Sequence, residues 1–169
     1  MKKAIKKLVA VVILLTVSVT IVKAGKGKGD TNDFVVRGVI AKSNNEHSKF
    51  KIELFYENRK VDSSIVNPEE SFDVKLKKNV WYTIRISTEG FVSQMISFNT
   101  ELKNGVKVKN NKFEFTTELI SNADAELLNK ELLEFPISVV SVDKTTRKFQ
   151  ARESYTNSYL HNLNMKVIF

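Results

Sequence analysis

Residues 79–100 read NVWYTIRISTEGFVSQMISFNT, and no other stretch restricts the fold as strongly. Trp81, Thr83, Arg85 and Ser87 alternate with Tyr82, Ile84 and Ile86. A period of two gathers apolar side chains on one face of a strand, whereas a helix would scatter them around its axis. Thr88-Glu89-Gly90 supplies a turn, because glycine enters positive φ at little steric cost. Beyond it Phe91, Val92, Met95, Ile96 and Phe98 resume an apolar pattern with looser alternation. Two strands with one apolar face need a facing layer, so the stretch calls for a sheet packed on another element.

The flanking sequence supplies candidates for that layer. Residues 34–41, FVVRGVIA, read as a first strand, and Gly38 inside it marks a bulge or a close backbone approach. Residues 49–57 place Phe50, Ile52, Leu54 and Tyr56 on one face and Lys49, Lys51 and Glu53 on the other. Asn58-Arg59-Lys60 is expected to turn the chain into a short strand over 61–66. Asn67-Pro68-Glu69-Glu70 is a further turn, since proline disfavours helix at the residue before it. Phe72, Val74 and Leu76 alternate once more. Short strands between polar turns predict a mainly β protein, an antiparallel Greek-key β-sandwich of the prealbumin-like kind. After residue 102 the pattern loosens into an extension of mixed strands and one or two short helices. Strands are expected at 106–108 and 112–119 about an Asn110-Asn111 hairpin turn, and at 137–142. A helical segment is expected over 121–133, capped by Ser121 or Asn122 and ended by Pro136. Tyr155, Tyr159, Leu160 and Leu163 suggest a second helix before a closing segment at 165–169.

The amino terminus reads as a targeting segment. Lys2, Lys3, Lys6 and Lys7 precede an apolar run over 8–22, and Val22-Lys23-Ala24 fits cleavage after Ala24. The run is 15 residues and carries Thr16, Ser18 and Thr20, short of what a spanning helix needs. The implied division is a signal peptide at 1–24, a flexible glycine-lysine lead at 25–33, a β-sandwich at 34–102 and an extension at 103–169 packed on the sandwich or continuing it. Of the 27 Lys and Arg residues, five lie in 1–24, which leaves 22 against 19 acids, a net charge of +3 rather than +8. The basic balance is therefore mostly a targeting signal, and nucleic acid is not an expected partner. Membrane contact is expected only through the signal segment, were it retained. The chain has no cysteine, so it relies on its core rather than disulfides and has no cysteine for a lipid anchor. No Asn-Xaa-Ser/Thr acceptor occurs either, and the whole fits a bacterial periplasmic, cell-surface or secreted protein.

VVRGVIAK, KIELFYENRKVDSS and ESFDVKLKKNVWYTIRISTEGF together resemble carboxypeptidase regulatory-like domains and the related transthyretin-like and Cna-B-like sandwiches. Gly38, Phe72, Tyr82, Ile84, Ile86, Gly90 and Phe91 are the matching positions, and the resemblance covers about 34–102. Glu69-Glu70-Ser71 departs from it, since the family usually has Asp or Asn and Gly before the aromatic residue. The carboxy-terminal part, with KFEFTTELI, EFPISVVSVDKTTRKF and SYTNSYL, is similar to an extension found in exported proteins of Bacteroidetes-type bacteria. The resemblance implies a sandwich module in the cell envelope and no peptidase activity, because the domain accompanies a catalytic unit that is absent here.

Candidate chemistry is sparse. His47 sits in a polar loop and His161 in an amphipathic segment, neither with a second histidine or a cysteine at metal-ligand spacing. No G-x-S-x-G elbow accompanies them. Glu69 and Glu70, and Asp30 and Asp33, are carboxylate pairs that would need a cleft to act on a glycoside, and adjacent turn residues ordinarily face water. Asp30-Thr31-Asn32-Asp33 lacks the remaining spacing of a calcium loop. The Cna-B-like resemblance raises an isopeptide bond from Lys49 or Lys51 to Asn99, although the alternation turns those lysines outward. Among the aromatics Trp81, Tyr82, Phe91 and Phe98, Trp81 alone lies opposite the Tyr82, Ile84 and Ile86 face. It is the expected partner contact. No cofactor, metal or catalytic residue is expected. The sequence favours a non-catalytic exported module with a structural or protein-interaction role, with an envelope protein or polymer as partner. A glycan-binding module using exposed aromatics is the alternative, and a hydrolase without a recognisable motif a remote one.

Overall fold

The computed structural model describes residues 33–41, 49–102 and 106–163. The signal segment, Asp30, His47 and the closing segment at 165–169 lie outside these residues. Among the described residues nine strands form two facing sheets. β1 (Phe34–Ile40), β4 (Ser71–Leu76) and β7 (Lys112–Thr117) make a three-stranded sheet in the order β4-β1-β7. β2 (Phe50–Tyr56), β3 (Arg59–Val66), β5 (Trp81–Ser87), β6 (Gln94–Asn99), β8 (Ser138–Val142) and β9 (Phe149–Ala151) make a six-stranded sheet in the order β3-β2-β5-β6-β8-β9. The protein is a mainly β sandwich.

Every strand pair formed within residues 34–102 is antiparallel. The two parallel pairs, β1 with β7 and β6 with β8, are both made by strands beyond residue 102. The later part of the chain thus continues both sheets. Asn110-Asn111 is accordingly not a hairpin turn, and 106–108 forms no strand. The chain is crossing from one sheet to the other, as a parallel partner requires. Asn111 marks the landing: its side-chain amide donates to the Asp33 carbonyl at 2.6 Å, and its carbonyl accepts from Val35.

Local chemistry explains the remaining joints. Glu57 and Asn58 both have positive φ, so the β2–β3 hairpin closes in a two-residue turn and β3 begins at Arg59, within the expected turn. A bulge opposite Leu54, the charged Lys60 and Asp62, and the Ser63 N–H donating to Asp62 at 2.8 Å interrupt the free edge of β3. Thr100 is fully buried, and its hydroxyl lies 2.7 Å from the Lys77 carbonyl and accepts from the Val80 N–H. It ties the β4–β5 turn to the end of β6. Gly90 takes positive φ as the turn requires, but β6 starts only at Gln94, leaving Phe91 in a single bridge to Ser121.

Inward residues of both sheets meet in one core. Phe34, Phe98, Phe113 and Phe149 form a ring cluster with centroid separations from 4.5 to 6.2 Å. Gly38 faces inward beneath the Phe72 and Phe115 rings, which sit edge to face at 6.0 Å. The close approach is the reason for glycine there; β1 has no bulge. Ser121 caps the short α1 (Asn122–Ala125), and a 3-10 helix follows at Lys130–Glu134. α2 (Glu153–Leu163) buries Thr156, Tyr159 and Leu163, and Thr156 hydrogen-bonds the buried Ser138 at 3.0 Å. No helix among the described residues is long and apolar enough to cross a membrane.

Candidate functional site on the outer face of the six-stranded sheet

With Ile52, Leu54, Ile84, Ile86, Ile96 and Phe98 turned inward, the intervening residues of β2, β5 and β6 form an outer face. Its rows are set by register: Glu53 beside Arg85 and Met95, Phe55 beside Thr83 and Ser97, and Trp81 beside Asn99. Trp81 stands 46% exposed, as its place in the alternation implies. No aromatic ring among the described residues contacts it. Tyr56 and Tyr82 pair at 5.9 Å on the opposite face of the sheet.

At the other end of this face Glu53 is only 3% exposed. Three cations converge on its carboxylate: Lys51 at 2.8 Å, Arg85 at 2.5 Å and Lys60 at 3.6 Å. All three are about half exposed, so they roof the acid while facing water themselves. Hydrogen bonds from Lys51 and then Arg85 hold the Glu53 carboxyl down at about 2, against a desolvation effect that works the other way. The Arg85 guanidinium also lies 4.8 Å over the Phe55 ring. The alternation orients Glu53 outward correctly but gives no sign of its burial. The only signal is the basic character of Lys51, Lys60 and Arg85, which means nothing until the strands are paired.

The other candidates are held apart. Lys51 is in register with Ser87 and Asn99 with Trp81, six positions along β5, or about 20 Å at the usual strand rise. An isopeptide bond between them is excluded in this fold, and Asn99 instead donates to Glu101 at 3.3 Å. Exposed Lys49 offers its carbonyl to the Thr88 hydroxyl. Glu70 accepts from both the backbone and side chain of Asn67, which closes the turn, while Glu69 sits exposed at positive φ. Asp33 pairs with Lys77 at 3.0 Å. His161 is exposed on α2. Phe98 is wholly core and Phe91 half-buried. Among the described residues no three metal-ligating side chains converge. The hollow between the sheets beside α2, lined by Ile96, Phe113, Phe115 and Ile137, holds about 10 Å³, space for a single water.

Neither a family model nor a curated protein matches the chain. Among solved structures it is similar to S.CueP, at 9% identity and a TM-score of 0.33. That match covers 54% of this chain and 64% of the other, so it spans less than two thirds of the neighbour's length.

Proposed function

We propose that the chain is an exported, non-catalytic β-sandwich module with a structural or protein-interaction role in a bacterial cell envelope. The observation that carries this reading is Trp81, a large aromatic side chain held half in water on a regular, hydrogen-bonded strand. A rigid strand presents such a side chain without the ordering cost a loop would add. Export rests on the lysine-led apolar segment and the Ala24 cleavage position. The finer family reading, a carboxypeptidase regulatory-like or Cna-B-like domain, is supported by the roles its matching positions take. Phe72, Ile84 and Ile86 are buried, Gly38 admits two rings, and Gly90 turns at positive φ.

A photoreactive phenylalanine analogue placed at position 81 in the producing cells tests the proposal, with the same probe at exposed Lys75 as control. Adducts to an envelope protein or polymer at 81 and not at 75 are expected; equal or absent labelling would overturn it. Intact mass of the envelope form should correspond to a chain beginning at Gly25.

A second reading is favoured by the company Trp81 keeps. Asn99 stands beside it across the β5–β6 pair, and the hydroxyls of Thr83 and Ser97 form the next row of the face. An aromatic face beside short polar groups suits the alternating C–H and O–H surfaces of a sugar. On this reading the partner is a glycan or another envelope polymer.

A further inference from the structure

We infer that the outer face of the six-stranded sheet takes an acidic polysaccharide, a polymer of sugars bearing carboxylates. This deepens the polymer-binding reading of the same face and rests on it.

Charge points to the acid. Lys51, Lys60 and Arg85 all stand over the single carboxylate of Glu53, which is buried beneath them. Three positive charges against one leave a surplus of two, and the parts that meet solvent are cationic. The buried acid also holds the cations in place, so less side-chain freedom is lost when they engage a second set of carboxylates. Trp81 lies on the same face four positions from Arg85 along β5, about 13 Å away. Between them Thr83 and Ser97 set their hydroxyls 3.4 Å apart. The track therefore runs from cations on β2, β3 and β5 through hydroxyls on β5 and β6 to an aromatic ring on β5. Each sugar of such a polymer offers all three matching groups: a carboxylate, hydroxyls and a C–H face.

Glu101 lies past Asn99, from whose amide it accepts, and so puts a negative charge at the tryptophan end. The carboxylates that engage the cations are accordingly placed over Lys51, Lys60 and Arg85, with the stacked residue at Trp81. A nucleic acid duplex fits this face less well, because its dense phosphates would meet only two surplus charges and then an acid.

The experiment is affinity electrophoresis and titration calorimetry of the processed full chain. The probes are polygalacturonate, its fully methyl-esterified form, dextran, and anionic phosphatidylglycerol vesicles. Polygalacturonate should bind best, with the ester about tenfold weaker. The Lys51→Gln/Lys60→Gln double variant leaves the Glu53–Arg85 pair in place. It should lose about tenfold for polygalacturonate and flatten the salt dependence. Trp81→Ala should weaken acid and ester alike, with an unchanged circular dichroism spectrum. If ester and acid bind equally, the acidic specificity is overturned while the polymer reading stands. If no polymer binds, both fall. Polygalacturonate binding unaffected by either variant, or matched by the vesicles, also overturns the inference.

Discussion

At Gly38 the space for one methyl group is already occupied. A Cβ there would press into the Phe72 ring and come within 2.8 Å of Phe115, both of them core residues. Gly38→Ala should therefore cost about 1–3 kcal/mol, seen as a lower urea midpoint at unchanged m-value. Glu53 makes a different kind of demand. Its folded pKa of about 2 lies below the unfolded value, so its contribution is complete above about pH 4.5 and is lost as pH falls toward 2. Allowing for solvent around the half-exposed cations, that contribution is about 1–2 kcal/mol. Urea unfolding at pH 5 and pH 2.5 should show it as a steeper acid loss in the natural chain than in Glu53→Gln. Gly38 is legible from sequence because a glycine inside an apolar strand gives up packing, and a bulge or a close neighbour is what usually compensates. The burial of Glu53 is not legible, because its roof comes from residues on three strands.

The element most open to test is α2. Its buried Thr156 and the Ser138 hydroxyl satisfy each other inside an otherwise apolar contact. Thr156→Val should leave Ser138 without a partner and cost about 1–2 kcal/mol. Adding Ser138→Ala should restore part of that, which a double-mutant cycle on urea unfolding would measure. The spacing of Tyr155, Tyr159 and Leu163 makes this helix legible, and the alternating strands β1, β2, β4 and β5 are equally plain. β9 is not: three residues are too few to display a period, and it exists because β8 and the Asp143 turn hold it. In that turn the Asp143 carboxylate accepts from the Thr145 and Thr146 amides at 3.0 and 2.6 Å. Residues 106–108 mislead in the opposite sense, since two valines about a lysine imitate a strand in what is a crossing.

For the molecule as a whole, the alternation of residues 34–102 marks out a sandwich, and the later strands continue both of its sheets. A chain ending at residue 102 would lack β7 beside β1 and β8 beside β6, and with them Phe113 and Phe149 of the central ring cluster. It is expected to give a poorly dispersed amide NMR spectrum and to bind a hydrophobic dye; a well-dispersed spectrum would show the first part to be self-sufficient. A period of two says which way a side chain faces but never which strand lies alongside, so the parallel partners stay hidden. Those partners also order events in time. β1 cannot acquire its second neighbour until β7 has been made, and β6 waits for β8. Closing such distant pairs is slow and comes late. On the export reading proposed above, that delay suits passage across a membrane: the chain stays threadable while it moves and latches only when its tail has followed.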